Sequence, residues 1–433
     1  MADDIRVGPP PLPENHGKPL APVSPAERIV SLDVLRGFAL LGVLIANMLL
    51  FGQPLEEGGV RSGLWLSPAD RVADWISLLL VDGKFYPLLS FLFGLGFSVQ
   101  MDRAASRGLD FRATYRRRLF ILAGFGLAHG ILLWNGDVLL PYAVCGFALL
   151  LFRERKTVTI LAWAAVFILL PALLILAGGV LISMAGDDPR TMAFLHEAAA
   201  DGYGDRQGLT RAYVTGGYAD AVSYRLRELV STIITTLIFS TAYLGMFLIG
   251  MLAGRKRIIT GISEHRRLLM GVLLVCGVAG LAGNVLGAWT LTDGYIKAHY
   301  GLMLIGSGLN SIFGPVLTAA YIAGIALLID RNPSLPFLQP VASVGRMALT
   351  NYLMQSLIAT TVFYGYGLGL GGTVGKLGTV GIALLIYAAQ ILFSALWLGF
   401  YRYGPAEWLW RSLTYGVRQP MVRERPYAIT PPP

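Results

Sequence analysis

Residues Arg28–Phe51, RIVSLDVLRGFALLGVLIANMLLF, decide the fold class. Ser31 is placed to cap a helix, and Asp33 then sits in its first turn, where the macrodipole favours an anion. Arg36 lies three residues after Asp33, so on a helix the two side chains share a face and can pair. Beyond Arg36 the chain is apolar as far as Asn47. At about 1.5 Å per residue, Asn47 lies roughly 16 Å deeper than Arg36, near or just beyond mid-bilayer. One reading of the charged pair is a capped helix whose arginine snorkels to the interface. The other is a functional site, the default for ionisable groups inside a membrane.

Composition agrees with a membrane span. The chain is 55% hydrophobic and 14% charged, with apolar stretches long enough to cross a bilayer, which marks an all-α integral membrane protein. Its 52 glycines suit closely packed helices. Gly126-x-x-x-Gly130 and Gly283-x-x-x-Gly287 have the small-residue spacing that allows close approach. Cys145 and Cys276 fall in apolar spans without a C-x-x-C pair, so neither a disulfide framework nor a zinc site is expected. No His/Asp/Glu cluster has metal-ligand spacing, and no glycine-rich phosphate loop follows a strand, so no metal is expected.

The hydrophobic pattern predicts about ten spans: 32–51, 84–101, 118–134, 138–152, 157–184, 229–252, 268–290, 300–329, 341–364 and 379–400. Segment 70–81 reads as an interfacial helix ahead of the second span. Residues 1–27 are proline-rich and polar, expected to be a disordered tail with no cleaved signal peptide. Residues 28–156 form an N-terminal four-helix half with the candidate site, and 157–228 a fifth span plus an outer amphipathic collar starting near Asp187 and Pro189. Tyr213, Tyr218 and Tyr224 of that collar are spaced to face either the membrane surface or the bundle. Residues 229–416 form the C-terminal half with an interfacial helix, in which Glu407 and Arg411 have i,i+4 spacing, and 417–433 a disordered tail.

A net charge of +9 would point to nucleic acid in a soluble protein; here its placement points to topology. Arg103, Arg107, Arg112 and Arg116–Arg118 follow the second span, Arg153, Arg155 and Lys156 the fourth, and Arg255–Arg257 with Arg266 and Arg267 the sixth. The positive-inside bias then places both termini in the cytoplasm. The expected partners are membrane lipids and a small-molecule or lipid-linked substrate, with a homodimer allowed and no nucleic acid. The absence of an internal repeat counts against the inverted-repeat transporter folds.

Three constellations can carry chemistry. His129 lies eleven residues from Arg118, about 16 Å deep and level with Asn47, and Asp137 follows in a short outer turn. A buried histidine can be a satisfied packing residue. It can also be a general base acting on an acceptor hydroxyl, with Asp137 orienting the ring or binding the acceptor. Asp82 and Lys84 stand at the outer mouth of the second span, either as an interfacial anchor or as a site for an anionic group or a carbonyl. In GRMALTNYLMQS, residues 345–356, Arg346 starts a helix on the inside, while Asn351 and Gln355 share a face and either bond across helices or line a cavity.

S-L-D-x-L-R-G followed by an apolar helix and Asn47 resembles the first helix of the YeiB-like bacterial membrane proteins, a domain-of-unknown-function family. The resemblance continues through D-x-K-F and F-G-x-G-F at Asp82–Phe97, through His129 and the G-D-x-L-x-x-Y-A string containing Asp137 and Tyr142, and through GRMALTNYLMQS and GPAEWLWRSLTYG. It spans about residues 28–416. More distantly, the opening is similar to heparan-α-glucosaminide N-acetyltransferase and to membrane acyltransferases that modify cell-surface glycans. This implies a transmembrane acyltransferase-like bundle moving an acyl, typically acetyl, group. The donor would be cytoplasmic acetyl-CoA or another acyl-CoA, and the acceptor extracytoplasmic or lipid-linked. The relatives' catalytic histidine lies between the first two spans or at the end of the first helix. This chain has no histidine between Arg28 and His129, so that assignment does not carry over: either His129 supplies the base from another helix or the chemistry differs. The expected site is one cavity within the first four spans, with His129 and Asp137 catalytic and Asp33, Arg36, Asn47, Asp82, Lys84 and Tyr142 binding substrate, joined by Asn351 and Gln355. The alternatives are a carrier or exporter of a small molecule, and a non-catalytic protein holding a lipid or quinone.

Overall fold

The computed structural model describes residues 29–52, 67–106, 108, 110–185, 206–296, 299–332 and 335–423. Among them the chain is all α, with one isolated antiparallel bridge between Tyr401 and Val422. In order, the helices are α1 (Val30–Gly52), α2 (Pro68–Leu80), α3 (Phe85–Ser106), α4 (Phe111–Leu132), α5 (Leu139–Leu149), α6 (Thr157–Ala185), α7 (Arg206–Thr210) and α8 (Tyr218–Arg227). They continue as α9 (Leu229–Phe239), α10 (Thr241–Arg255), α11 (Arg266–Ile296), α12 (Tyr300–Arg331), α13 (Leu338–Arg346), α14 (Ala348–Phe363), α15 (Lys376–Phe400) and α16 (Pro405–Tyr415).

Among the described residues, six helical stretches are long and apolar enough to cross a bilayer: α1, α2 with α3, α6, most of α11, α12 and α15. A seventh arises if α9 and α10, bent by 48°, count as one broken span. This is a multi-pass membrane protein. Each expected span does contain helix, but three fall short of the length and apolarity a crossing needs. α4 opens with Arg112, Arg116, Arg117 and Arg118, α5 has 11 residues before a short 3₁₀ turn, and the 341–364 stretch breaks at Met347 between α13 and α14.

α1 is the central helix: 67% of its apolar window is buried, against 11% for α6. It packs along α13, α14 and α15 on one side and α3 on the other. α6 and α11 instead turn Leu173, Leu174, Leu181, Leu274, Val275 and Val278 outward, as a surface in contact with lipid tails requires. Small residues set the closest crossings. Between α3 and α10, a methyl on Gly94 would land on the Phe247 carbonyl and one on Gly250 on the Phe91 carbonyl. The Gly283 spacing acts the same way, since a methyl there would strike the Phe313 ring of α12.

Several local expectations shift. α1 begins at Val30, so Ser31 lies inside it and gives its hydroxyl to the Ile259 carbonyl at 3.4 Å instead of capping the helix. Segment 70–81 does form a helix ahead of α3, as expected: α2 is capped by Ser67 with Pro68 at its first position. Arg346 ends α13; it does not open the next helix. Residues 1–27, the collar start near Asp187 and Pro189, and the tail beyond 423 lie outside the described residues. In the described part of the collar, Tyr213 and Tyr224 are buried against the bundle, while Tyr218 is exposed.

Candidate functional site

The buried residues of α4 are Phe111, Tyr115, Leu119, Leu122, Gly126 and His129, one stripe at spacings of three and four, so His129 is the polar end of an inward face. The helix stops there because the Leu133 and Trp134 N–H groups both donate to the His129 carbonyl, each at 2.9 Å. The turn that follows carries Asp137 back beside the ring. Asp137 Oδ2 accepts the Leu140 N–H at 2.7 Å, fixing the carboxylate at the start of α5. Gly126 makes this possible, since a Cβ there would sit 2.7 Å from Asp137 Oδ2.

Asp137 Oδ1 stands 2.9 Å from His129 Nδ1. Neither atom completes a hydrogen bond of good angle, so the pair is in contact but not locked. On the far side of the ring, His129 Nε2 is 2.8 Å from the Ser356 hydroxyl of α14. His129 and Ser356 are each 2% exposed. Tyr352, one turn before Ser356, lies 5.0 Å from the imidazole ring, centroid to centroid, and accepts the Val138 N–H at 3.3 Å. Asp137, His129 and Ser356 therefore lie in line, a carboxylate on one ring nitrogen and a hydroxyl on the other.

Glu407 of α16 sets the position of α14. Its Oε1 accepts the Leu349 and Thr350 N–H groups at 2.6 and 3.1 Å, and its Oε2 accepts the Thr350 hydroxyl at 2.6 Å. The expected Glu407–Arg411 pair gives way to this cap, because the first N–H groups of a buried helix have no partner of their own. Arg411 lies instead over the Tyr403 ring. Burial holds the Glu407 carboxyl above its usual range, although the donors around it pull the other way.

Beside this line, Tyr86 gives its hydroxyl to Asn47 Oδ1. The Tyr142 hydroxyl donates to the Tyr86 carbonyl at 3.0 Å and lies 2.8 Å from the Ser90 hydroxyl. Tyr352 is within electrostatic reach of Tyr86, Tyr142 and Asp137, so the two clusters adjoin. Over the ends of α4 and α14, Phe51 packs on Trp134 at 4.5 Å and on Tyr364 at 5.7 Å. Arg225 donates to the Leu132 carbonyl at 2.9 Å and lies over the Tyr213 and Tyr364 rings. A narrow, mostly apolar groove with a cavity volume of about 30 Å³ reaches Asp137 between α4, α5 and α9.

The other expected site residues lie elsewhere. Asp33 and Arg36 pair at 3.0 Å near the opposite end of α1. There Arg36 and Arg411 lie close enough to Arg118 to repel it, and Arg118 stacks on Trp410 at 4.1 Å. Lys84 is fully buried, and its ammonium donates to the Leu78 and Asp82 carbonyls at 2.6 Å each and to Asn310 Oδ1 at 2.7 Å. Three donors meet three acceptors, which leaves none for an anionic ligand. Asn351 donates to the Val344 carbonyl and to Ser394 of α15, and Gln355 to Gln390 of α15, so both amides bond across helices. Asn47 and Tyr142 adjoin the His129 line, while Asp33, Arg36 and Lys84 have partners of their own. His129 draws its partner Ser356 from α14, far along the chain, while Asp137 is held locally by the Leu140 N–H. Ser356, Tyr352 and Tyr86 are the residues that the sequence did not single out.

Comparison with known proteins covers almost the whole chain. The uncharacterized protein YxaH of Bacillus subtilis (strain 168) is 35% identical over 421 residues, 94% of this chain and 98% of that protein. The uncharacterized protein YeiB of Escherichia coli (strain K12) is 31% identical over 404 residues, 92% of this chain and 98% of its own. This chain belongs to the YeiB-like family. The family model described as "Protein of unknown function (DUF418)" matches residues 253–417, which take in α14 and Ser356 but not His129 or Asp137. An uncharacterized 39.9 kDa protein in the amylase 3′ region of Bacillus acidopullulyticus is 28% identical over 407 residues, 93% of this chain and 99% of its own. No solved structure matches the chain.

Proposed function

We propose that this YeiB-like protein crosses the bacterial inner membrane ten times with both termini in the cytoplasm. There it moves an acyl group from a cytoplasmic thioester such as acetyl-CoA to a hydroxyl acceptor that is extracytoplasmic or lipid-linked. The observation that carries this reading is the Asp137–His129–Ser356 line. It holds Nε2 of a buried imidazole against a hydroxyl, with a carboxylate on the opposite nitrogen. That is the arrangement a base needs to take a hydroxyl proton as the oxygen attacks a carbonyl. The bent Asp137 contact supports the reading as well, because catalytic hydrogen bonds often tighten only when substrate is bound. The Arg36, Arg118 and Arg411 end lies about 16 Å below His129 along α4 and suits the phosphates of a CoA ester.

The test uses the full-length protein in lipid nanodiscs with a series of acyl-CoA donors, following release of the free CoA thiol. Wild type should release it in the presence of membrane lipids, and His129→Ala should lose on the order of 10²–10⁴-fold. Undiminished release in folded His129→Ala would remove the base from the mechanism. Solute flux in proteoliposomes without thiol release would replace acyl transfer by a carrier role. A second reading, a lipid- or quinone-binding protein without turnover, draws on the apolar groove beside Asp137. An isoprenoid or phospholipid retained stoichiometrically through purification, with no response to acyl-CoA, would favour it.

A further inference from the structure

Ser356, like Ser31, Ser90 and Thr350, sends its hydroxyl outside its own helix, and its partner is a ring nitrogen. The cheapest partner for a serine or threonine inside a helix is the carbonyl three or four residues back. Ser77, Thr236, Ser307, Ser311 and Thr318 take that partner, as do Thr360 and Thr361 within α14 itself. The Ser356 hydroxyl is turned instead across the helix interface to His129 Nε2 at 2.8 Å. With Asp137 against Nδ1, the tautomer that carries its proton on Nδ1 is favoured, so Nε2 accepts and Ser356 donates. The place on Nε2 that an acceptor hydroxyl would need in a direct transfer is already taken by this chain.

We propose that Ser356 is the nucleophile of the reaction and carries the acyl group as an ester between two half-reactions. This rests on the acyl-transfer reading of the same site. In the first half, Ser356 Oγ attacks the thioester carbonyl carbon while its proton passes to His129 Nε2. The C–S bond then breaks and the leaving thiolate takes that proton, so the products are the Ser356 ester and a free thiol. In the second half, the acceptor hydroxyl gives its proton to Nε2 and attacks the ester carbonyl. The Ser356 oxygen leaves with the proton, restoring the starting state. Asp137 steadies the imidazolium formed in each half, and Tyr352 positions the ring from one turn away. Two half-reactions allow donor and acceptor to arrive at different times, which a donor and an acceptor on opposite membrane faces require.

The test is a fluorophosphonate probe applied to the full-length protein in nanodiscs, with the labelled peptide mapped by mass spectrometry. The probe forms an O–P bond to an activated serine and releases fluoride, and it needs no acyl donor. Wild type should be labelled at Ser356. Ser356→Ala should lose the label, His129→Ala should reduce its rate on the order of 10²-fold or more, and Thr361→Ala should label as wild type. Ser356→Cys provides a second variant, which should hold a hydroxylamine-sensitive thioester after a single turnover with radiolabelled acetyl-CoA. Label at another residue, no label on folded wild type, or thiol release undiminished in Ser356→Ala would overturn the nucleophile. Labelled Ser356 without thiol release from any acyl-CoA would instead support the nucleophile and count against the thioester donor.

Discussion

Two buried polar clusters, each tying together residues more than two hundred positions apart, differ in one respect that separates architecture from chemistry. At Lys84, every N–H of the ammonium has an acceptor within 2.7 Å, and Thr318 bonds the Lys84 carbonyl at 2.6 Å. The cluster is complete and joins the α2–α3 turn to α12. At His129, one nitrogen and one carboxylate oxygen are in contact without a proper hydrogen bond, while the other nitrogen faces a hydroxyl that has given up its own helix. A closed network stabilises; a poised one has something left to do. Charge and burial, which drew attention to both places in the sequence, do not distinguish them. The state of their hydrogen bonds does.

Substitutions can break this comparison. The largest effect is expected at His129→Ala: a loss of thiol release near a thousand-fold, about 4 kcal/mol of transition-state stabilisation, with a thermal unfolding curve close to wild type. Lys84→Met should do the reverse. It strands three acceptors and should lower stability on the order of 3 kcal/mol, while the protein that remains folded keeps its turnover. If Lys84→Met stays as stable as wild type but loses activity, the assignment of the two clusters is inverted. Gly126→Ala sharpens the comparison, because its methyl acts on both stability and chemistry. Displacing Asp137 and the start of α5 should cost about 1–3 kcal/mol and lower the turnover of the folded fraction, read by unfolding and thiol release on one preparation.

Glu407→Ala should remove the cap of α14 and cost about 2 kcal/mol, measured as a shift in unfolding midpoint. The pH dependence has a defined sign. Burial holds the folded-state carboxyl above its unfolded value, so its contribution is fully present below the unfolded value and is lost as pH rises through the folded one. Glu407→Gln should flatten that slope, and a slope unchanged in Glu407→Gln would assign it to another group. The smallest effect is expected at Gln355→Ala, roughly 0.6 kcal/mol for one bond between helices in a membrane, with turnover unchanged.

Much of this was legible because it is local. The i,i+3 spacing of Asp33 and Arg36 predicts a pair, found at 3.0 Å. The inward stripe of α4 places His129 on a buried face, and Asp137 follows eight positions later across a tight turn. The sequence leaves Lys84 between an anchor and a binding group because its decisive partner, Asn310, is 226 residues away, and nothing near Lys84 announces it. Glu407 was misread for a related reason. Its helical neighbour Arg411 is an adequate partner by spacing, but the buried start of α14 offers two N–H groups and a hydroxyl, a stronger claim on a carboxylate.

By itself the sequence determined that the chain is an all-α, multi-pass membrane protein and which faces of its helices hold polar residues. Those properties follow from composition and from a 3.6-residue period summed along each helix. Only the tertiary structure decided that α1 lies at the centre, that Lys84 is satisfied and that Ser356 meets His129. Such contacts depend on where helices cross, and small residues scattered over the whole chain set the distance at each crossing.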